Sequence, residues 1–238
     1  MLLGDDAMKH IGEARIIIFG IGGVGSWCAE CLVRTGAMHL TMVDGDSVCP
    51  SNINRQLPAT TSTVGQKKVD VMRRRLLDIS PEAEINAVCN MFSAGNAARF
   101  HLENYDCIID AIDSLADKQL LIETACRTQA FFVSSMGAAL KADPTRIQVA
   151  EFSKVHGCPL ARALRHNLRK AHSWPTRDFT CVFSDELLSN KSLAPDGATP
   201  LTEANSRTKK CPNGSLMQVT AVAGITLASI VIRHLADL

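Results

Sequence analysis

Short hydrophobic runs recur along the chain at Arg15–Phe19, His39–Val43, Glu84–Val88, Cys107–Asp110 and Phe131–Ser134, with helix-like stretches between most of them. Such alternation predicts parallel strands joined by crossover helices. One helix runs from about Gly23 to Thr35 and stops before Gly36; another, rich in Lys and Arg, runs from about Gly65 to Ile79 and stops at Ser80-Pro81. Both ends carry the usual stop residues. Beyond Gly137 the pattern changes. DPTRIQVAEF reads as a turn followed by a strand, LARALRHNLRKA as a helix, and the Ser- and Pro-containing stretch from about His172 to Pro212 as loop. An apolar helix from about Ser215 to Leu235 closes the chain. The expected fold is α/β: a Rossmann-like, mostly parallel sheet flanked by helices, with a loop-rich C-terminal part.

Composition narrows this further. With 238 residues, 46% hydrophobic and 21% charged, the chain is long enough for a full core and fits a single domain over residues 1–238. A formal charge of +1 excludes a globally basic nucleic-acid binder and leaves room only for a local basic patch. Nine cysteines, odd in number and irregular in spacing, do not form a disulfide framework, so reduced thiols and a cytoplasmic setting are expected. The N-terminus MLLGDDAMKH lacks a basic segment and a long apolar core, unlike a signal peptide. The longest apolar run, LMQVTAVAGITLASIVI at 216–232, is interrupted by Gln218 and falls just short of a membrane span, so a buried helix is expected there.

The chemistry begins at IIIFGIGGVGSWCAECLVRTGAMHLTMVDGD, residues 16–46. Gly20, Gly22, Gly23 and Gly25 satisfy G-x-G-x-x-G, in which glycines let the backbone turn tightly and approach a phosphate at a helix N-terminus. Asp44, at the end of the second strand, is placed to accept hydrogen bonds from ribose hydroxyls. A dinucleotide dehydrogenase would share these features. The next residues separate the two. DGDSVCPSNINRQ, 44–56, supplies Asp46, Asn52, Arg55 and Gln56, and VGQKKVDVM adds Lys68. Hydride transfer needs no converging arginine and lysine, whereas cleavage of a triphosphate needs its charge neutralised and oriented. CIIDAIDS then brings Asp110 and Asp113 to a strand's carboxyl end, a position suited to a magnesium-bound carboxylate. ATP with Mg²⁺ is the expected nucleotide.

Taken together, G-x-G-G-x-G, D-x-D with S-N-x-x-R-Q, V-G-x-x-K and D-x-x-D-S resemble the ThiF/MoeB/HesA superfamily, relatives of ubiquitin-activating enzymes that adenylate carboxylates. The resemblance spans essentially the whole chain. It implies that Gly22, Gly23 and Gly25 hold phosphates, Asp44 the ribose, and Asn52, Arg55 and Lys68 the triphosphate, with Asp113 on the magnesium. Asp46, Gln56 and Ser114 belong to the same motifs, and Arg55, Lys68 and Asp113 would carry the chemistry. A homodimer is also implied. Related sequences send an arginine from an N-terminal segment into the partner subunit's ATP site; here that position falls at or before Met1, and no arginine precedes Arg15.

Three readings compete. Activators of ubiquitin-like sulfur carriers typically hold a structural zinc with two C-x-x-C pairs, but the only such pair here is Cys28–Cys31, at i and i+3 on a helix, which reads as buried structure. A binding module that has kept an ATP-binding fold without its chemistry is a further reading, which nothing in the sequence demands because the phosphate-binding residues are all present. The segments SSMGAALKADPTRIQVAEFSKVHGCPLARALRHNLRK, 134–170, and DFTCVFSDE, 178–186, are similar to the branch that uses ATP to cyclise threonylcarbamoyladenosine in tRNA. From Val155 to Arg177 there is no acidic residue. Arg162, Arg165 and Arg169 fall on one helical stripe beside Lys170, a footprint for tRNA phosphates. RRR at 73–75 and RTKK at 207–210 are weaker candidates. The resemblance leaves room for a cysteine-desulfurase-system partner, and Cys181 and Cys211, in the expected loop region, are open as reactive thiols, Cys211 beside two lysines having the more thiolate-favouring context.

Overall fold

A computed structural model describes residues 2–191 and 213–238. One seven-stranded sheet forms the centre, in the order β3-β2-β1-β4-β5-β7-β6. The strands are β1 (Arg15–Phe19), β2 (His39–Val43), β3 (Glu84–Val88), β4 (Cys107–Asp110), β5 (Phe131–Ser135), β6 (Ile147–Glu151) and β7 (Thr180–Ser184). The helices are α1 (Asp5–Glu13), α2 (Gly25–Arg34), α3 (Lys68–Ile79), α4 (Leu115–Ala125), α5 (Pro159–Lys170) and α6 (Met217–Leu235). All strand pairs are parallel except β6 with β7, which closes one edge as an antiparallel hairpin-like pair.

The central strands are hydrophobic on both faces because both faces are covered. Alternation along β1 divides the core in two. Ile16 and Ile18 join α2, α3 and α6 residues such as Leu32, Met72 and Leu227. Ile17 and Phe19 face the other way, into a core with Leu121, Leu164 and Phe152 from the α4 and α5 side. Phe19 also packs edge-on against Phe92 and Phe100, with ring centroids 4.9 and 5.2 Å away.

All five strands expected before Gly137 form where the hydrophobic runs predict them. Two differences stand out in the C-terminal part. Within the stretch read as loop, TCVFS forms β7, a strand inside the sheet whose Cys181, Val182, Phe183 and Ser184 are all buried. Its ladder partners are remote in sequence, β5 by parallel and β6 by antiparallel pairing, so nothing local announces it. The apolar α6, at 19 residues, is long and apolar enough to cross a membrane by length and composition, yet half of it is buried inside the fold. It packs along α2, and the two backbones approach so closely at Gly224 that a Cβ there would lie 2.3 Å from the Val24 carbonyl oxygen.

Candidate active site

Strand order reverses between β1 and β4: the crossover through α2 leads from β1 to β2 on one side, while β4 pairs on the other. Ligands bind at this kind of switch point, beyond the carboxyl ends of the strands. A cavity of about 550 Å³ lies there, lined by residues that follow β1, β2, β3, β4 and β5.

The glycine turn forms its floor. Gly20 sits at φ +90, and a Cβ on it would lie 2.6 Å from the Ala111 carbonyl oxygen, so only glycine fits between the ends of β1 and β4. Gly22 and Gly23 line the cavity. Gly25 does not. A Cβ on Gly25 would lie 1.8 Å from the Gly20 carbonyl oxygen, which makes it the residue that lets α2 close onto its strand. Thr220 of α6 supports the turn from behind, its side chain 3.2 Å from the position of a Gly23 Cβ, and reaches the cavity itself.

Asp44 ends β2 at the cavity wall. Its Oδ2 accepts from the Ile21 amide at 2.7 Å and its Oδ1 from the Asp46 amide at 2.8 Å. Burial pushes its carboxyl up from the ordinary aspartate value, against the opposing charge of Lys68 and these two amides. Lys68, at the start of α3, is almost fully buried, and its Nζ donates to Asp46 Oδ2 at 2.7 Å. Arg55 lines the cavity from the loop after β2; its Nη1 donates to the Ser51 carbonyl and to Asn54 Oδ1, both at 2.9 Å. Trp27 of α2 fixes this loop by donating from Nε1 to the Arg55 carbonyl at 3.2 Å. Gln56 is buried on the cavity wall, and its Oε1 has no hydrogen-bond partner among the described residues. A buried acceptor left this way is costly unless a ligand supplies the donor.

Asn52 is not a lining residue. Its Oδ1 accepts from the Cys49 amide at 3.0 Å and closes the short 3-10 turn that shapes the arginine loop. The two aspartates after β4 also part company. Asp110 is sealed beneath the floor, where Oδ2 accepts from Lys118 Nζ and Ser134 Oγ, each at 2.7 Å, and Oδ1 from the Ile112 amide. With three donors already on it, Asp110 is unavailable to a metal. Asp113 is exposed on the cavity wall beside Ser114, and Asp117 lines the same wall. Among the described residues no cluster of three or more His, Cys, Asp or Glu could cage a metal by itself. That donor set suits Mg²⁺, which is held by one or two carboxylates together with phosphate oxygens and water.

Several lining residues were invisible to motif reasoning. Asn90, Met91 and Phe92 follow β3, and Met136 to Ala139 follow β5, in the SSMGAAL segment whose small residues leave open space near the cavity. Leu160, at the start of α5, closes that side.

Cys28 and Cys181 are buried and Cys31 is half-buried. Cys28 is fully buried in α2 and burial pushes its thiol well up, as it does for Cys31 to a smaller degree. Cys181 lies in β7 and not in a loop, and burial pushes its thiol well up, leaving little thiolate for attack. Cys211 lies outside the described residues. Among the basic candidates, α5 buries Ala161, Leu164 and Leu168 and presents Arg162, Arg169 and Lys170 to solvent. Arg165 is committed inward: Nη1 donates to the Phe152 carbonyl at 3.1 Å, and the guanidinium lies 5.8 Å from the Phe152 ring centre. The 73–75 triplet is also engaged, Arg73 with the Ile85 carbonyl, Arg74 with Gln66 and Arg75 with Glu30. RTKK at 207–210 lies outside the described residues.

A family model described as the ThiF family matches residues 1–238. The chain is 35% identical over 237 residues to the tRNA threonylcarbamoyladenosine dehydratase of Bacillus subtilis (strain 168), covering 99% of this chain and 92% of that protein. Crystal structures of the Escherichia coli tRNA N6-threonylcarbamoyladenosine dehydratase in complex with AMP and with ATP superpose at TM-scores of 0.85 and 0.83, at 34% identity, over 99% of this chain and 91% of theirs. The molybdopterin-synthase adenylyltransferase of Escherichia coli (strain K12) is 31% identical over 159 residues, covering 67% of this chain and 61% of that protein.

Proposed function

This chain belongs to the ThiF family, and from that premise we propose that its cavity binds ATP and that the protein is an ATP-dependent tRNA threonylcarbamoyladenosine dehydratase. The observation that carries the reading is the convergence of the glycine turn, Asp44, Arg55, Lys68 and Asp113 on one cavity at the switch point of the sheet. The near full-length similarity to dehydratases sets the substrate.

Gly22 and Gly23, at the N-terminus of α2, take the phosphates, where backbone amides and the helix dipole favour negative charge. Asp44 accepts from the ribose hydroxyls. Lys68 exchanges its bond to Asp46 for a phosphate oxygen, and Arg55 exchanges the Ser51 carbonyl and Asn54 for another. Asp113, with Asp117 beside it, would hold Mg²⁺, which when bound neutralises phosphate charge. The threonylcarbamoyl carboxylate forms a bond to the α-phosphorus as the bond to the bridging oxygen breaks, and pyrophosphate leaves against Arg55 and Lys68. The carboxylate becomes an acyl adenylate. A nitrogen or oxygen of the same side chain then attacks the activated carbonyl and loses its proton, AMP departs with the former carboxylate oxygen, and the net change is loss of water. Because the nucleophile is intramolecular, effective molarity supplies much of the rate and no enzyme thiol is needed, consistent with the buried Cys181.

The exposed Arg162, Arg169 and Lys170 on α5 face the tRNA backbone in this reading. A homodimer is the favoured assembly, supported by the family resemblance and by Met217, Val222 and Ile225 left exposed on the apolar α6. Activation of a ubiquitin-like carrier is the alternative. The lone Cys28–Cys31 pair, in α2 with Cys28 buried and Cys31 half-buried, argues against the zinc-bearing form of that alternative. The test is release of AMP and pyrophosphate with tRNA carrying threonylcarbamoyladenosine, with unmodified tRNA and with ubiquitin-like carriers. Turnover only with the modified tRNA, with the nucleoside losing the mass of one water, is the expected result; release only with a carrier protein would replace this assignment.

A further inference from the structure

α5 begins at the active-site cavity, where Leu160 is a lining residue, and runs away from it for 12 residues. At 1.5 Å per residue, Arg169 lies about 14 Å along the helix from that rim. Just past its end stands Trp174, one of two tryptophans in the chain, 42% exposed. The Arg169 guanidinium lies 5.0 Å from its ring centre, and its ring rests 5.8 Å from that of Phe152.

The loop that carries this exposed ring is tied down on both sides. Ser173 donates from its amide to the Leu168 carbonyl at 3.0 Å and from Oγ to Glu123, while Thr176 Oγ1 donates to the Cys126 carbonyl at 2.6 Å. The Arg177 guanidinium donates to the Ala130 carbonyl. The indole is therefore held ready, and binding against it requires little ordering of the loop. Of the acidic groups nearby, Glu151 is ion-paired with Lys154, whereas Glu123 and Asp178 keep their charge and are held by neutral donors, Ser173 and Gln119 for the first and Ser153 and the Phe179 amide for the second. The exposed cations of α5, Arg162, Arg169 and Lys170, outnumber these two carboxylates.

We propose that Trp174, with Arg169 packed on it, is a stacking platform for an unpaired base of the tRNA, and that the α5 stripe guides the backbone from this platform to the cavity. The inference rests on the tRNA reading above and adds to it a residue that grips the RNA at a distance from the reacting nucleotide. An aromatic face beside cations is the combination that binds single-stranded nucleic acid, since every base has a face to stack and every linkage a charge. The one structural alternative is that Trp174 merely covers Phe152.

The test uses the full chain and tRNA carrying threonylcarbamoyladenosine, comparing wild type with Trp174→Ala, Trp174→Leu and Trp174→Phe. Leucine keeps an apolar cover over Phe152 and removes the wide flat ring, so it carries the test should the alanine variant not fold. Expected is a rise of about tenfold or more in the Kd for tRNA, and in the KM for tRNA, for Ala and Leu. Phe retains most of the affinity, while ATP affinity and kcat at saturating tRNA stay at wild-type values in all three. Wild-type turnover together with unchanged tRNA binding by Trp174→Leu would overturn the platform alone. Loss of kcat or ATP affinity without a change in tRNA binding would reduce Trp174 to a structural cover and overturn it equally. Failure of the wild type to turn over modified tRNA would overturn the dehydratase reading and this surface with it.

Discussion

Two lysine–aspartate pairs flank the floor of the cavity, each with an N–O distance of 2.7 Å, and they do different things. Lys118 and Asp110 are both 0% exposed, beneath the floor. Lys68 is 7% exposed but its partner Asp46 is 54% exposed, at the cavity mouth. The contact distance is the same; the surroundings decide the role. In the sealed pair neither charge can find another partner, so the pair holds β4 and α4 together and fixes the end of the strand from which Asp113 departs. In the open pair, Asp46 is half in water and can turn away, which leaves Lys68 able to take another partner. Close pairing of opposite charges is thus no sign of function by itself; access to an alternative partner is.

Breaking the sealed pair is the largest effect expected. Lys118→Ala leaves Asp110 buried without its counter-charge and should lower unfolding stability by about 3–5 kcal/mol, read by urea denaturation. A loss under about 1 kcal/mol would show that water reaches the floor and that the two pairs are alike. Breaking the open pair should move activity more than stability. For Lys68→Ala we expect kcat/KM for modified tRNA to fall about 10²–10³-fold, with a stability change within about 1 kcal/mol because Asp46 is half in water. Full turnover in this variant would remove Lys68 from the phosphate site.

The third test concerns Asp44, which lies between the pairs. Burial favours its protonated form in the folded chain, so this group costs stability above its raised pKa, and the cost disappears as the pH falls below 3.8, its value when unburied. Nucleotide binding has the opposite sign: ribose hydroxyls need the carboxylate as acceptor, so affinity falls as the pH drops through the raised value. ATP affinity measured against pH should therefore show an acid limb above the ordinary aspartate range. Asp44→Asn should weaken ATP about tenfold and abolish the limb; an unchanged limb would assign it to another group. The smallest effect is expected at Cys181. Cys181→Ala should keep kcat and cost about 1 kcal/mol of stability for the vacated volume, whereas loss of turnover in a folded variant would restore a role for the thiol.

Most of the fold on the nucleotide side was legible from the chain because hydrophobic runs there are bounded by glycine, proline and polar turns. β1 to β5 lie where those runs stand, and Gly22, Gly23, Asp44, Arg55, Gln56, Lys68, Asp113 and Ser114 meet on one cavity. A local pattern can have two physical uses. Gly25 belongs to the glycine motif but serves backbone packing, and Asn52 belongs to the S-N-x-x-R-Q segment but caps a turn. Asp110 stands three residues from Asp113 and is consumed by Lys118, a partner that no spacing rule selects. TCVFS was hidden because its pairing partners are set by the sheet and not by its neighbours.

By itself the sequence determined the alternation of strands and helices and the family, since these depend on periodicity and on residue types at short separations. Only the tertiary structure decided which charges are free. Burial and long-range pairing set that: Lys118 silences Asp110, Phe152 takes Arg165, Trp174 is left in solvent beside Arg169, and α6 arrives from the far end of the chain to brace the glycine turn with Thr220. Each of these joins residues whose distance along the chain carries no information about their distance in space.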